Sequence, residues 1–347
     1  MAASRGLLMR RWLKRIGLSL AALLLLVLAA LPAVIGIRPF VGPRARPLSD
    51  RTFESTPERL ERGRLLANSV SGCLFCHSEI DWNSPGYLPI AGTEGGGRTW
   101  AAEGLPWLTV PNITPDPETG AGRWTDDMLA RAIREGIGHD GRTLFPLMPY
   151  HQFRYMSDED LASVIVYLRS RPPLRKAHPP TEIPFPLSRL INAEPEPVTA
   201  PVPQPDRSNL VAYGVYLVRI GVCRDCHTPM AQGQAVPGME FGGGFVLTGP
   251  YGQVASANIT PAPSGIPYYT EELFLEMMRT GRVKARKIHD QMPWAMYGQQ
   301  PDEDLKAMFA YLKTIPPVQH RVDNTLPPTE CPRCGLTHGA GNQNAGT

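Results

Sequence analysis

Charge is thin in this chain. Lys, Arg, Asp and Glu make up 19% of its 347 residues, below the roughly one quarter usual in soluble domains. The formal net charge is +3, yet five bases (Arg5, Arg10, Arg11, Lys14 and Arg15) precede the first apolar run with no acid among them. Setting those aside leaves 30 of the 35 bases against 32 acids, a net of −2. No basic stripe survives, which excludes nucleic acid as a partner. Also missing is any grouping of acid, base and nucleophile, so no catalytic residue is assigned. Cysteine is scarce as well, and all six fall in three C-x-x-C pairs.

Two of those pairs carry a histidine immediately after them: Cys73-Leu74-Phe75-Cys76-His77 and Cys223-Arg224-Asp225-Cys226-His227. C-x-x-C-H is the attachment signature of c-type haem. The thiols add across the haem vinyl groups, and the adjacent imidazole reaches the iron. A zinc site would need a second Cys or His pair for each copy. The third pair, Cys331-Pro332-Arg333-Cys334, has Gly335 where a haem ligand should stand. A disulfide in an exported tail is the expectation there; a metal clip including His338 is short of ligands.

Ile16 to Ile37 holds 22 residues without a charge, enough to cross a bilayer at about 1.5 Å per residue. The basic segment before it, 1–15, predicts a cytoplasmic N-terminus with everything after Arg38 on the far side. A cleaved signal peptide has a shorter apolar region, and no clear A-x-A site follows, so the expectation is a retained anchor. Covalent haem attachment and an oxidising compartment agree with export.

Repeats organise the rest. Asn112-Ile113-Thr114-Pro115 returns as Asn258-Ile259-Thr260-Pro261, and Met148-Pro149-Tyr150 returns as Met292-Pro293-Trp294. The offsets are 150 residues for C-x-x-C-H, 146 for N-I-T-P and 144 for M-P. Small loop deletions in one repeated domain produce that drift. The division is an anchor at 16–37, a linker at 38–55, domain one at 56–171, a proline-rich linker at 172–207, domain two at 208–317 and a tail at 318–347. The proline-rich linker is expected to be extended and semi-rigid, holding the two haems at a restricted separation.

Each domain reads as all-helical. Thr56-Pro57-Glu58 is an N-cap, a first-position proline and a first-turn acid; Ser208 and Asn209 offer caps in the second copy. Thr125 and Thr270 open the middle helices. Leu161, Val164, Ile165 and Leu168 form one apolar helical face, and Leu305, Met308, Phe309 and Leu312 repeat it. Gly63 and Gly214 on the first helices let the last helices cross closely, with Tyr167 and Tyr311 as contacts.

Iron needs a further axial ligand. A methionine thioether raises the potential and closes the site, giving a carrier; an open position permits peroxide or oxygen chemistry. Met148 and Met292 are the choices, because each stands in a repeated motif 13 residues before its last helix's first apolar position. His139, His151 and His289 are rivals without a common register. Asn112, Thr114, Asn258 and Thr260 are candidates to bond propionates or brace the methionine loop. Trp124, and Tyr268 or Tyr269, are candidates to cover the ring edge. Gly95–Gly97 and Gly242–Gly244 allow close backbone approach to it.

These motifs, spread over Thr56 to Pro317, resemble the membrane-anchored dihaem cytochrome c family. They are similar too to the cytochrome c subunit of bacterial membrane-bound alcohol dehydrogenases, from which this chain differs in having two haem repeats rather than three and a transmembrane helix at its start. The resemblance implies two tandem class I-type cytochrome c domains behind one N-terminal transmembrane helix. It implies two covalent haem c groups, held by Cys73, Cys76, His77 and Met148 and by Cys223, Cys226, His227 and Met292. The implied activity is single-electron transfer on the periplasmic side of the inner membrane. The implied partners are a dehydrogenase, a quinol-oxidising complex or a terminal oxidase. The alternative class is a dihaem peroxidase or haem-containing dehydrogenase subunit with one open iron position.

Overall fold

The computed structural model describes residues 2–339; Met1 and positions 340–347 of the tail lie outside the described residues. Helix α1 runs over Ala2–Ile35. It takes in the basic segment as well as the apolar run, and stops at Gly36, whose φ of +78° breaks the helix. Its Trp12–Ile35 stretch is long and apolar enough to cross a membrane, and among the described residues its apolar window is not buried. A signal sequence meets the same test.

The remainder is mostly helical, with short two-stranded antiparallel ladders between the helices. In the first repeat α2 is Pro57–Leu65, continued by a wider π turn at Leu66–Val70; α3 is Cys73–Cys76, α4 Asp126–Glu135, α5 Tyr150–Phe153 and α6 Asp158–Ser170. In the second, α7 is Leu210–Ile220, α8 Cys223–His227, α9 Glu271–Thr280, α10 Trp294–Tyr297 and α11 Asp302–Leu312. The expected caps form. Thr56 accepts from the Arg59 amide at 3.3 Å, Thr125 from Met128 at 3.1 Å, Asn209 from Ala212 at 3.0 Å and Thr270 from Leu273 at 3.2 Å. Ser208 instead donates to Asp206.

First and last helices of each repeat cross at their glycines. A Cβ built on Gly63 would lie 2.0 Å from the Ser163 carbonyl oxygen and 2.7 Å from Tyr167 Cβ; on Gly214 it would lie 1.9 Å from Ala307 O and 2.9 Å from Tyr311 Cβ. Only a residue without Cβ permits that approach. The predicted apolar faces of α6 and α11 are buried there.

The two repeats share one continuous core, which runs from Leu66, Leu74, Phe153 and Ile165 into Leu217, Phe274, Met296 and Leu305. Polar contacts cross the same junction. Ser69 Oγ donates to Met296 O at 2.9 Å, Gln152 Nε2 to Asp225 Oδ1 at 2.6 Å and the Gly86 amide to Asp290 Oδ1 at 2.8 Å.

The proline-rich linker departs from the expected strut. It lies along the first repeat: the Leu174 amide donates to Thr114, Lys176 to Thr119, and the Thr109 amide to Thr181. Farther on, Thr143 donates to Asn192, and the Asp158 amide to Val202 O. Proline leaves its carbonyls and its neighbours' amides free to pair with the domain beneath. Direct packing between repeats therefore fixes their spacing. The segment after α11 behaves alike, with Val318, His320 and Asn324 bonded to the second repeat's loops.

Candidate functional site

Each C-x-x-C-H run begins from a left-handed residue, Gly72 (φ +59°) or Val222 (φ +60°), and forms a single helical turn. The turn follows directly on the first helix, so the cysteines and histidine are held against the core by Leu74 and by Cys223 respectively. The histidines are 8% exposed in both repeats.

Their rings are fixed identically. His77 Nδ1 lies 2.8 Å from the Pro111 carbonyl oxygen, and His227 Nδ1 lies 2.7 Å from that of Ala257. A carbonyl can only accept, so Nδ1 carries the proton and donates, leaving the Nε2 lone pair for a metal. Burial lowers the pKa of His77 to about 4, against the opposing pull of the Pro111 bond, and lowers that of His227. Both rings are thus neutral and competent as ligands at physiological pH.

The carbonyls that orient the rings immediately precede the N-I-T-P motifs, and those motifs hold them in place. Asn112 Oδ1 accepts from the Thr114 amide (2.9 Å) and hydroxyl (2.7 Å), while its Nδ2 donates to Leu174 O at 2.6 Å. Asn258 repeats the pattern with Thr260 (2.9 and 2.7 Å) and with Val318 O at 2.7 Å. Asn112, Thr114, Asn258 and Thr260 are buried. Their bonds go to the segment after the last helix rather than to the methionine loops. They act on the histidines through the backbone, a role that spacing alone did not reveal.

The glycine loops serve the same loop. The Gly97 amide donates to His77 O at 2.9 Å and Gly243 to His227 O at 2.8 Å. A Cβ at Gly97 would meet Val110 O at 2.6 Å, and one at Gly243 the Ala257 carbonyl carbon at 2.4 Å. The close approach is to the backbone leading into each N-I-T-P motif.

Met148 and Met292 occupy matching turns. The Met148 amide donates to Phe145 O (3.1 Å) and Met148 O accepts from Tyr150 (2.8 Å); Met292 pairs with His289 O (3.0 Å) and Trp294 (2.7 Å) in the same way. Both are partly buried and pack against the shared core. The rival histidines sit in unlike surroundings: His139 stacks on Trp124 with centroids 4.4 Å apart, His151 Nε2 is 2.7 Å from Asp225 Oδ2, and His289 Nδ1 accepts from the Gln291 amide at 3.1 Å. Trp124 thus has a histidine partner, while Tyr268 and Tyr269 lie edge to face at 5.0 Å.

Of the four motif cysteines, Cys73, Cys76 and Cys223 are partly buried and Cys226 is exposed; burial pushes Cys73 and Cys223 up to about 12 and raises Cys76. Both motifs border the junction between the repeats: Gly72 lies against Met296, and Asp225 accepts from Gln152 Nε2 at 2.6 Å. An aromatic group joins the repeats beside them, with Tyr87 stacked on Tyr251 at 5.6 Å and Tyr251 5.3 Å from His289. Paired thiols beside a neutral, oriented imidazole are the donor set covalent haem requires.

No family model matches the chain. Comparison with individual proteins is more informative. The chain is 36% identical over 228 residues to a subunit of the nicotinate dehydrogenase of Pseudomonas putida, a match covering 62% of this chain and 18% of that protein. It is 29% identical over 278 residues to the cytochrome c subunit of the quinone alcohol dehydrogenase of Gluconobacter oxydans, covering 75% of this chain and 55% of that subunit. To a dihaem c-type cytochrome of Cereibacter sphaeroides it is 30% identical over 262 residues, 72% of this chain and 84% of the relative. The chain thus spans between about a fifth and three fifths of the first relatives, but most of the dihaem cytochrome. It belongs to the dihaem c-type cytochrome family, whose members' names imply covalently bound haem c.

Proposed function

We propose that the chain carries two haem c groups in two tandem class I-type domains, 56–171 and 208–317. Cys73 and Cys76 form the thioethers of the first and Cys223 and Cys226 those of the second. His77 with Met148, and His227 with Met292, are the axial ligands. The observation that carries this reading is the identical bonding of the two imidazoles, each with Nδ1 on the carbonyl before an N-I-T-P motif. Haem iron held this way takes up and gives back one electron at a time.

The residues of the chain supply the rest. Asn112 and Asn258 keep each imidazole aimed, the buried core excludes water, and the packed junction fixes the distance between the centres. Met148 and Met292 stand in matching turns, whereas His139, His151 and His289 share no common register. The reading extends to the cell. Helix α1 tethers the chain to the inner membrane with both repeats on the periplasmic side. Electrons arrive from a dehydrogenase or quinol-oxidising complex and leave to a terminal acceptor. Relatives named as cytochrome subunits of alcohol, fructose and gluconate dehydrogenases favour a dehydrogenase as the donor.

Haem quantification with near-infrared absorption of the oxidised protein tests the ligand set. Two haems per chain and the iron–methionine charge-transfer band are expected, the band falling by half in Met148→His and again in Met292→His. A wild-type protein without that band, or with high-spin iron that binds cyanide at once, refutes the assignment in favour of an open site.

A further inference from the structure

Outside the histidine pockets, four metal-ligating side chains converge where the tail returns to the second repeat. His320, Cys331, Cys334 and His338 each place one ligand atom within 4.8 Å of the others. The spacing of the tail cysteines points to a disulfide and leaves a metal short of ligands. His320, eleven positions before Cys331, supplies the missing one, and both cysteines are free thiols. We propose that these four residues bind one zinc ion, which clasps the tail onto the second repeat.

The two distances at His320 match those across a tetrahedral centre. His320 Nε2 lies 3.3 Å from His338 Nε2 and 3.4 Å from Cys331 Sγ. Two nitrogens at about 2.0–2.1 Å from a tetrahedral centre stand about 3.3 Å apart, and a nitrogen and a sulfur about 3.5 Å. Hydrogen bonding accounts for this less well. His320 Nδ1 donates to Gly242 O at 2.8 Å, so its Nε2 has a single lone pair. Two groups converge on that pair; one hydrogen bond uses it up, whereas a shared cation satisfies all three atoms.

The surroundings match a structural site. Cys331 and Cys334 flank the turn of a hairpin whose strands, Thr329–Glu330 (β1) and Thr337–His338 (β2), pair antiparallel. Gly335, at φ +69°, lets its amide bond back to Cys331 O at 2.9 Å, and the Arg333 amide donates to Cys331 Sγ at 3.4 Å. Amide donors to sulfur favour the thiolate a metal needs. Bonding of His320 to Gly242 O fixes the ring's tautomer from the far side. His320 is 1% exposed, Cys331 8% and Cys334 5%. Two thiolates and two imidazoles with no open position select zinc in a structural role.

The clasp answers a stability problem. Among the described residues, the tail's buried apolar cluster consists of Val318, Cys331 and Cys334 with Met239, and only Val236 and Leu336 pack against it. That is too little apolar area to order a hairpin, and metal binding supplies the difference. The anchored end sits on the glycine loop that supports His227: His320 packs on Gly244, and Gly243 donates to His227 O.

Full-length protein purified without chelators should contain one zinc per chain by mass spectrometry of the metals. Zinc-edge X-ray absorption should give two sulfur and two nitrogen neighbours. The double variant Cys331→Ser/Cys334→Ser should lose at least tenfold of the zinc, and His338→Gln, at the less buried position, most of it, with unchanged iron. Wild-type protein with less than about one zinc in ten chains, or with Cys331 and Cys334 joined as a disulfide in non-reducing mass spectrometry, overturns the proposal. So does zinc retained by the double variant. If the variants fail to fold, the wild-type zinc count and its absorption spectrum still decide.

Discussion

Asp160 and Asp304 occupy the same place in the two repeats, the third residue of the last helix, and the fold treats them in opposite ways. Asp160 accepts two bonds from Arg62, at 2.8 and 2.7 Å, and one from the Tyr216 hydroxyl at 2.6 Å. Asp304 accepts from Tyr213 at 2.8 Å, but stands 3.8 Å from Arg62 with Oδ2 unbonded. Burial works against both charges. Arg62 and Tyr216 overcome it for Asp160, whose pKa is lowered; at Asp304 burial wins and the pKa is raised. One cation serves two carboxylates because the position matching Arg62 in the second repeat is Tyr213, one before Gly214 as Arg62 is one before Gly63. Duplication of a sequence therefore does not duplicate an environment when the copies pack on each other.

The comparison can be broken most severely at the haem attachments. Cys73→Ala should remove one of two haems, and because the repeats share a core it should lower the melting temperature of the whole molecule. Two well-separated unfolding transitions would show the repeats to be independent. Next in size is the carboxylate pair. Asp160→Asn leaves Arg62 buried without its partner and should cost about 3–5 kcal/mol, whereas Asp304→Asn should cost under about 1 kcal/mol or stabilise, since it removes a poorly paired buried charge. Urea unfolding checks both, and equal costs would contradict the asymmetry.

The pH dependence has opposite signs at these two sites. Asp160, with its lowered folded pKa, contributes stability above the ordinary aspartate range that is lost as pH falls through the folded value. Asp304, with its raised pKa, favours the fold while protonated and withdraws that contribution as pH rises through its folded value. The two asparagine variants should flatten opposite limbs of the stability curve. Smaller, and equal in both repeats, are the helix crossings: Gly63→Ala and Gly214→Ala should each cost about 1–3 kcal/mol, measured by the same denaturation. Smallest are the caps. Thr125→Ala and Thr270→Ala should each cost about 1 kcal/mol, and a large difference between them would mean that the middle helices are not equivalent.

Much of this architecture is legible in the sequence, for local reasons. Caps at Thr56, Thr125 and Thr270, the apolar faces of α6 and α11, and the glycines at the crossings all follow from interactions a few residues apart or from the demand for a missing Cβ. The N-I-T-P motifs are legible as important but not as to why. Their partners, Leu174 and Val318, lie about 60 residues away, just after the repeated Pro172-Pro173 and Pro316-Pro317 pairs, and nothing local ties those segments to the motifs. The path of the linker is hidden similarly, because proline content gives stiffness but not the surface a stiff segment lies on.

By itself the sequence determined the repeated C-x-x-C-H, N-I-T-P and M-P frames, the helices between them and the apolar length of α1, since each depends on neighbours along the chain. Tertiary structure alone decided which carbonyl holds each histidine, which of two matched aspartates shares Arg62, and that His320 joins a cysteine pair in the tail. Those outcomes turn on burial and on contacts between distant segments. A hydrogen bond or a charge there takes its strength from whatever the fold brings alongside it.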